Sequence, residues 1–256
     1  MRAIGALWRR ELTRFLRQPS RLLAAAATPL LFWIVIGSGL ASSFRLPGGS
    51  AELDFREYFY PGVVTLVVLF AAIFATISVI EDRREGFLQG VLAAPVAPAA
   101  IAAGKVLGGA TVAWLQALPF LLLAPLVGIP LGAGTALAAA GVLALVALAM
   151  TALGFAFAWW VDSTQGFHAV MNLVLFPMWL LSGAFFPVEG APGWLAGLMQ
   201  VDPLTYGLAA LRGALYGATV AAGQPVPPGV AGAVLAVWCL AAFAADVAVV
   251  ALRRNA

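Results

Sequence analysis

Six apolar runs, at 22–40, 58–80, 101–127, 137–160, 167–186 and 228–252, alternate along the chain with short polar stretches. A helix rises about 1.5 Å per residue, so about 20 residues cross a hydrocarbon core of about 30 Å. The pattern predicts an all-α integral membrane protein, a single transmembrane domain over 1–256 with six spans. Short connections leave no room for a folded extramembrane domain, so any soluble catalytic domain has to come from a partner.

The segments that are not spans carry their own patterns. Residues 1–21 hold six arginines, and Arg10, Arg14, Arg17 and Arg21 fall at spacings of four, three and four, one stripe of a helix, with Ile4, Trp8, Leu12 and Phe15 opposite. This predicts an amphipathic helix lying in the headgroup plane of an anionic leaflet. A cleaved leader, with 22–36 as its apolar core and Ala41–Ser43 as the cleavage site, fits less well, because its amphipathic lead and its apolar run are both too long. After the second span come Glu81-Asp82-Arg83-Arg84-Glu85-Gly86 and a short amphipathic piece from Phe87 to Pro95. Phe87, Leu88, Val91 and Leu92 form an apolar face with no domain of this chain to pack against, which implies a partner or the membrane surface. Between the fifth and sixth spans, Asp202-Pro203 reads as an N-cap followed by proline at the first helical position, opening a helix to about Tyr216, and Pro192 opens another through Met199. Both are too short to span, and they are expected to dip back into the outer leaflet as re-entrant helices over 190–216.

Charge sets the orientation. With the N-terminus in the cytoplasm, eleven of the fourteen Lys and Arg residues lie inside, and only Arg45, Arg56 and Arg212 lie outside. Six spans return the C-terminus to the same side, giving a multi-pass protein of the inner or plasma membrane with both termini cytoplasmic. Composition agrees, with 63% hydrophobic and 10% charged residues against about 25% charged in soluble domains. Nothing suggests nucleic-acid binding.

Most catalytic chemistry is missing. Lys105 follows Gly104, but the other residues of a phosphate-binding loop are absent, so this chain is not its own ATPase. A single histidine, His168, excludes a two-histidine zinc site, and no Gly-x-Ser-x-Gly elbow occurs. Asp246, seven residues before Arg253, reads as a structural ion pair or a snorkelled carboxylate, with a functional role as the alternative. His168 reads as an interfacial or packing residue, Asn172 as an interhelical hydrogen-bonding group, and Cys239, the single cysteine, as a buried thiol.

These features together resemble the permease subunits of type-2 ATP-binding-cassette exporters, the family that includes the nodulation-factor and daunorubicin-resistance exporters of bacteria. The resemblance covers nearly the whole chain. Its most telling stretches are Glu85-Gly86-Phe87-Leu88-Gln89-Gly90-Val91-Leu92-Ala93-Ala94-Pro95, similar to the family's cytoplasmic coupling helix at 85–95, and Ser182-Gly183-Ala184-Phe185-Phe186-Pro187 with Pro192 and Asp202-Pro203-Leu204-Thr205-Tyr206. Phe87 replaces a more usual Thr, Gly90 loosens the helix, and Asp202 stands where Asn is common. The resemblance implies a dimer of six-helix units, a second permease copy facing the first, driven by separate ATPase subunits that bind the ATP and Mg; this chain holds no cofactor and is not itself an enzyme. It implies that Arg84 and Glu85 make polar contacts to the ATPase, flanked by Gly86 and Pro95, while Leu88, Val91 and Leu92 insert as an apolar ridge. Gly183, Pro187, Pro192, Asp202, Pro203, Tyr206 and Arg212 would form the outer gate.

A self-contained secondary transporter would show a repeat between 1–127 and 128–256, and no such similarity is present. A lipid-modifying enzyme would need polar groups clustered at one depth, which Asp246, His168 and Asn172 do not form. An interior of Ala, Leu, Val, Gly and Phe suits a lipophilic drug, a lipid-linked glycan or another amphipathic cargo equally.

Overall fold

The computed structural model describes residues 2–40, 54–188, 191–217 and 226–255, all built from helices and their connections. In chain order these are α1 (Arg2–Leu16), α2 (Pro19–Leu40), α3 (Phe55–Arg84), α4 (Phe87–Ala93), α5 (Pro98–Leu122), α6 (Ala133–Ala158), α7 (Thr164–Trp179), α8 (Gly193–Val201), α9 (Pro203–Tyr216) and α10 (Pro228–Asn255). Five stretches are long and apolar enough to cross a membrane: α3, α5, α6, α7 with the turn after it, and α10. The described apolar part of α2, Ala25–Gly39, is shorter. Where the sequence suggests six spans, length and composition therefore support five among the described residues.

Helix ends follow local chemistry. Pro19 disfavours helical backbone at the residue before it, so α1 stops at Leu16 and Arg21 belongs to α2, not to the basic stripe of α1. Helix α3 continues past the expected end of its span, through Glu81 to Arg84, and stops where Gly86 takes φ +79, a left-handed conformation that glycine adopts without steric cost. Pro98 opens α5 at its first position, and Ser163 caps α7 by accepting the Gly166 N–H at 2.9 Å.

Helix α3 is the axis of the fold. Its most apolar stretch is 89% buried, with α2, α5 and α6 packed around it, whereas that of α10 is 17% buried and leaves Val237 and Leu240 exposed. A largely exposed apolar helix in a membrane protein faces lipid or another subunit. Small residues bring the helices close at the charged end. A Cβ on Gly104 would lie 2.6 Å from Leu7 Cβ and one on Gly108 2.7 Å from Glu11 Cβ, so two glycines one turn apart on α5 form the bed of α1. Gly109 does the same against Thr151 of α6 and Ala75 of α3. Both termini reach this end: α1 lies across α5, and Arg254 of α10 donates to the Val96 carbonyl at 2.8 Å, beside α4.

Candidate functional site

The short helix α4, at the charged end, presents Phe87 to the outside. Gly86 turns the chain out of α3, and the Gln89 amide reaches back to the Arg83 carbonyl at 2.9 Å, closing the open end of α3. Leu88 is only 2% exposed, so it packs into this chain. Leu88 thus faces the bundle rather than outward as the ridge expected of it would, and the exposed positions of α4 are Phe87, Gln89, Gly90 and Ala93. Val91 and Leu92 are half-buried against the core, and Pro95 is exposed beyond the helix end. Between α1 and α4 lies an apolar groove of about 400 Å³, lined by Ala3, Ala6, Leu7, Phe87, Gly90 and Val91 among others. Arg84 donates through Nε to the Asp162 carbonyl at 3.2 Å, and the Glu85 side chain is 61% exposed, 3.6 Å from Arg14.

Behind α4 is a cluster of charges that sequence reasoning did not bring together. Asp82, fully buried, accepts from Arg10 at 2.7 and 2.6 Å and from Arg14 at 2.6 Å, and it also contacts the Lys105 ammonium. Those four bonds match the acceptor capacity of a carboxylate. Lys105, itself buried, donates in addition to Glu11 at 2.6 Å, and Arg14 reaches Glu81 at 2.8 Å. Arg10 lies 3.8 Å over the ring of Phe87, so one guanidinium ties α1 to α3 and to α4. Burial alone would lower its pKa, but the Asp82 carboxylate outweighs that and holds it above the ordinary arginine value.

The basic stripe of α1 is thus read differently in three dimensions. Arg10 and Arg14 face carboxylates of their own chain rather than lipid headgroups, because desolvated acids on α3 offer stronger, bidentate partners. The available signals were the single acid, Glu11, in a basic helix and the single lysine inside an apolar run, a placement that ordinarily marks a partnered or functional charge.

At the opposite end, part of the predicted outer set converges. After α7 the chain makes a π turn over Leu180–Ala184 in which Gly183 takes φ +88. Its carbonyl accepts from Tyr58 Oη and from Arg212, each at 3.0 Å. Arg212, 3% exposed, also donates to the Tyr58 carbonyl at 3.2 Å and lies 4.1 Å above the Tyr58 ring. Trp179 Nε1 donates to the Gly62 carbonyl at 2.7 Å, fixing the other side of the turn. A second group sits at the α8–α9 elbow, where Asp202 accepts the Leu204 N–H at 2.8 Å, Pro203 opens α9 and Tyr206 donates to the Gln200 carbonyl at 2.6 Å. Pro187 is half-buried and Pro192 exposed, and neither joins these groups; Glu189 lies outside the described residues.

Burial pushes the Asp202 carboxyl up to about 7, against the cap bond from Leu204, which lowers it. Below about pH 4 the group is neutral whether the chain is folded or unfolded. Between there and about 7 the unfolded chain ionises first, so stability falls as pH rises through that window and levels off above it. Thermal unfolding midpoints measured from pH 4 to 8 are expected to decline in the wild type and to decline less in Asp202→Asn, which keeps the cap without the charge. An equal slope in both proteins would remove Asp202 as the cause.

Asp246 does not pair with Arg253 as the sequence suggested. Arg253 instead donates to the Trp159 carbonyl at 3.3 Å and lies 5.6 Å over the Trp160 ring. Cys239 contacts the Leu145 carbonyl, so α6 and α10 run parallel with a constant offset, which sets Asp246 at the level of Ala152, turned inward and fully buried. His168 packs edge-on to Phe74, with ring centroids 5.8 Å apart. Among the described residues no group of three or more His, Cys, Asp or Glu is placed to hold a metal ion.

The profile of a protein family described as ABC-2 type transporter matches residues 2–216. The chain is 25% identical over 199 residues to the putative transport permease ycf38 of Cyanophora paradoxa, covering 77% of this chain and 68% of that protein. It is 28% identical over 215 residues to nodulation protein J of Rhizobium leguminosarum bv. trifolii, covering 83% and 80%. To the daunorubicin resistance ABC transporter permease protein DrrB1 of Streptomyces coeruleorubidus it is 24% identical over 220 residues, covering 82% and 74%.

Proposed function

We propose a mechanism from the premise that this chain belongs to the ABC-2 type transporter family and is a membrane permease subunit of an ABC exporter. It is a transport subunit, not a catalytic enzyme. ATP and Mg bind to partner ATPase subunits, and two permease copies face each other across the pathway. Helix α2 joins the five longer helices as a sixth span, the charged end faces the cytoplasm, and α8 and α9 are re-entrant in the outer leaflet. The excess of arginine at the end carrying both termini supports that orientation.

The coupling element is α4, and the observation that carries the reading is the contact of Arg10 with both Phe87 and Asp82. The ATPase seats on Phe87 and Gly90 and in the groove beside α1. Closure of the ATPase pair displaces α4, and Arg10 passes the movement to α1 and to the end of α3. Lys105 carries it to α5. A helix as long as α3 transmits such a tilt because its hydrogen-bonded backbone is stiff, and Tyr58 near its far end holds the Gly183 turn together with Arg212. The outer elbow then opens or closes as α3 moves.

Gly90→Glu tests this. Nothing lies within 4 Å of a Cβ added there, so the variant is expected to fold. Purified with its partner ATPase subunit and reconstituted, it is expected to lose most of the permease-dependent ATP hydrolysis. Wild-type hydrolysis from a Gly90→Glu complex of normal stoichiometry would refute α4 as the coupling element.

A further inference from the structure

Helix α1 has three unlike sides. Leu7, Glu11 and Phe15 are buried on the bundle. At 100° per residue, Trp8, Leu12 and Leu16 fall on one flank, and Leu16 is 67% exposed there. Trp8, 37% exposed, is anchored to Thr111 at 3.1 Å, which makes this the flank suited to lipid. The other flank borders an open concavity of about 860 Å³ lined by Arg9, Arg10, Thr13, Arg14, Arg17 and Glu85, together with Ala6 and Gln18.

The charges in this concavity are only partly balanced. Arg10 and Arg14 are turned to carboxylates, while Arg9 and Arg17 are exposed and make no ion pair with any described residue. Ala6 lines both this concavity and the apolar groove beside Phe87, so the two form one continuous surface. An occupant that extends from the groove into the concavity therefore meets Arg9, about one turn from Ala6, and then Arg17, about 16 Å from Ala6 along α1.

We infer that the concavity is an acidic-surface receptor: it takes carboxylates of the same ATPase subunit that seats on α4. The inference rests on the reading of α4 as the docking helix. Arg9 and Arg17 are eight residues apart, about 12 Å along α1, so the complementary element is a helix or turn with acids about two helical turns apart. Anionic lipid is a poorer fit for Arg17, about 100° around the helix from the exposed Leu16, although Arg9 lies only about 20° from that residue. The lining is chiefly arginine, with Thr13, Gln18, Ala6 and one carboxylate, Glu85. Paired charges at the rim of an interface mainly raise the association rate and make it salt-dependent.

The test compares wild type, Arg9→Glu/Arg17→Glu and Gly90→Glu in nanodiscs, with ATPase binding followed over a salt series. In pure phosphatidylcholine the arginine variant is expected to bind about tenfold more weakly at low salt and to lose most of the salt dependence of the wild type. Equal affinity and slope would overturn the inference. Should Gly90→Glu abolish binding while the arginine variant binds normally, the docking reading stands and the acidic receptor falls. Should Gly90→Glu bind normally while the arginine variant is weakened as expected, the receptor stands and the α4 reading falls. A defect that appears only in discs containing phosphatidylglycerol would assign the two arginines to lipid headgroups and overturn the inference. Melting curves of each permease alone keep misfolding apart from weak binding.

Discussion

Asp82→Ala is expected to destabilise the protein by about 3–5 kcal/mol, because it strips a buried carboxylate from Arg10, Arg14 and Lys105 at once and leaves the three cations to Glu11 and Glu81 at the charged end of the bundle. Lys105→Met is expected to cost less. Methionine fills the space, and Asp82 keeps both arginines, although Glu11 loses the ammonium it accepts from. Midpoints of thermal aggregation in detergent, followed by size-exclusion chromatography, give the order wild type, Lys105→Met, Asp82→Ala. The reverse order, or an Asp82→Ala protein that melts with the wild type, would mean that the cluster does not hold α1 to the bundle. The same series read for hydrolysis in the reconstituted complex asks whether Lys105 also transmits movement. A Lys105→Met protein that melts near the wild type but uncouples hydrolysis would support that role.

Leu88→Asp is expected to be as damaging, for a different reason. Losing a buried leucine costs about 2–5 kcal/mol, and an unpaired carboxylate in its place adds a desolvation penalty. With 2% of the side chain exposed, no rotation of the residue relieves that penalty while α4 stays seated. The variant should express poorly and elute as aggregate, whereas Gly90→Glu on the same helix should elute as a single species. A well-behaved Leu88→Asp protein with lost ATPase binding would show that α4 swings outward and that Leu88, not Phe87, meets the partner.

The two ends of the molecule differ in how much of them the chain disclosed. The short helix after Gly86 and the cap at Asp202-Pro203 follow from local rules, since each depends on backbone preferences of two or three residues, whereas Gly183 was legible only through the family resemblance. The charge cluster has no such local signature. Glu11, Asp82 and Lys105 are separated by tens of residues, and although a lone acid in a basic helix and a lone lysine in an apolar run each imply a partner, neither names which one. Leu88 and Phe87 are neighbours of equal apolar character, so hydropathy cannot rank them.

Hydropathy and the spacing of charges were enough to establish a helical membrane protein, its charged end and the short elements between its spans. Periodicity reports which residues share a helix face, because that depends only on the 3.6-residue turn. It does not report what covers the face. That Arg10 and Arg14 turn inward to Asp82 while Arg9 and Arg17 stay exposed, that Leu88 is buried and Phe87 is not, and that Asp246 passes over Arg253 to sit beside α6 all depend on which helix lies opposite. Close approach through Gly104 and Gly108 and the cost of leaving a buried charge unpaired settle those contacts, and both are properties of the packed bundle.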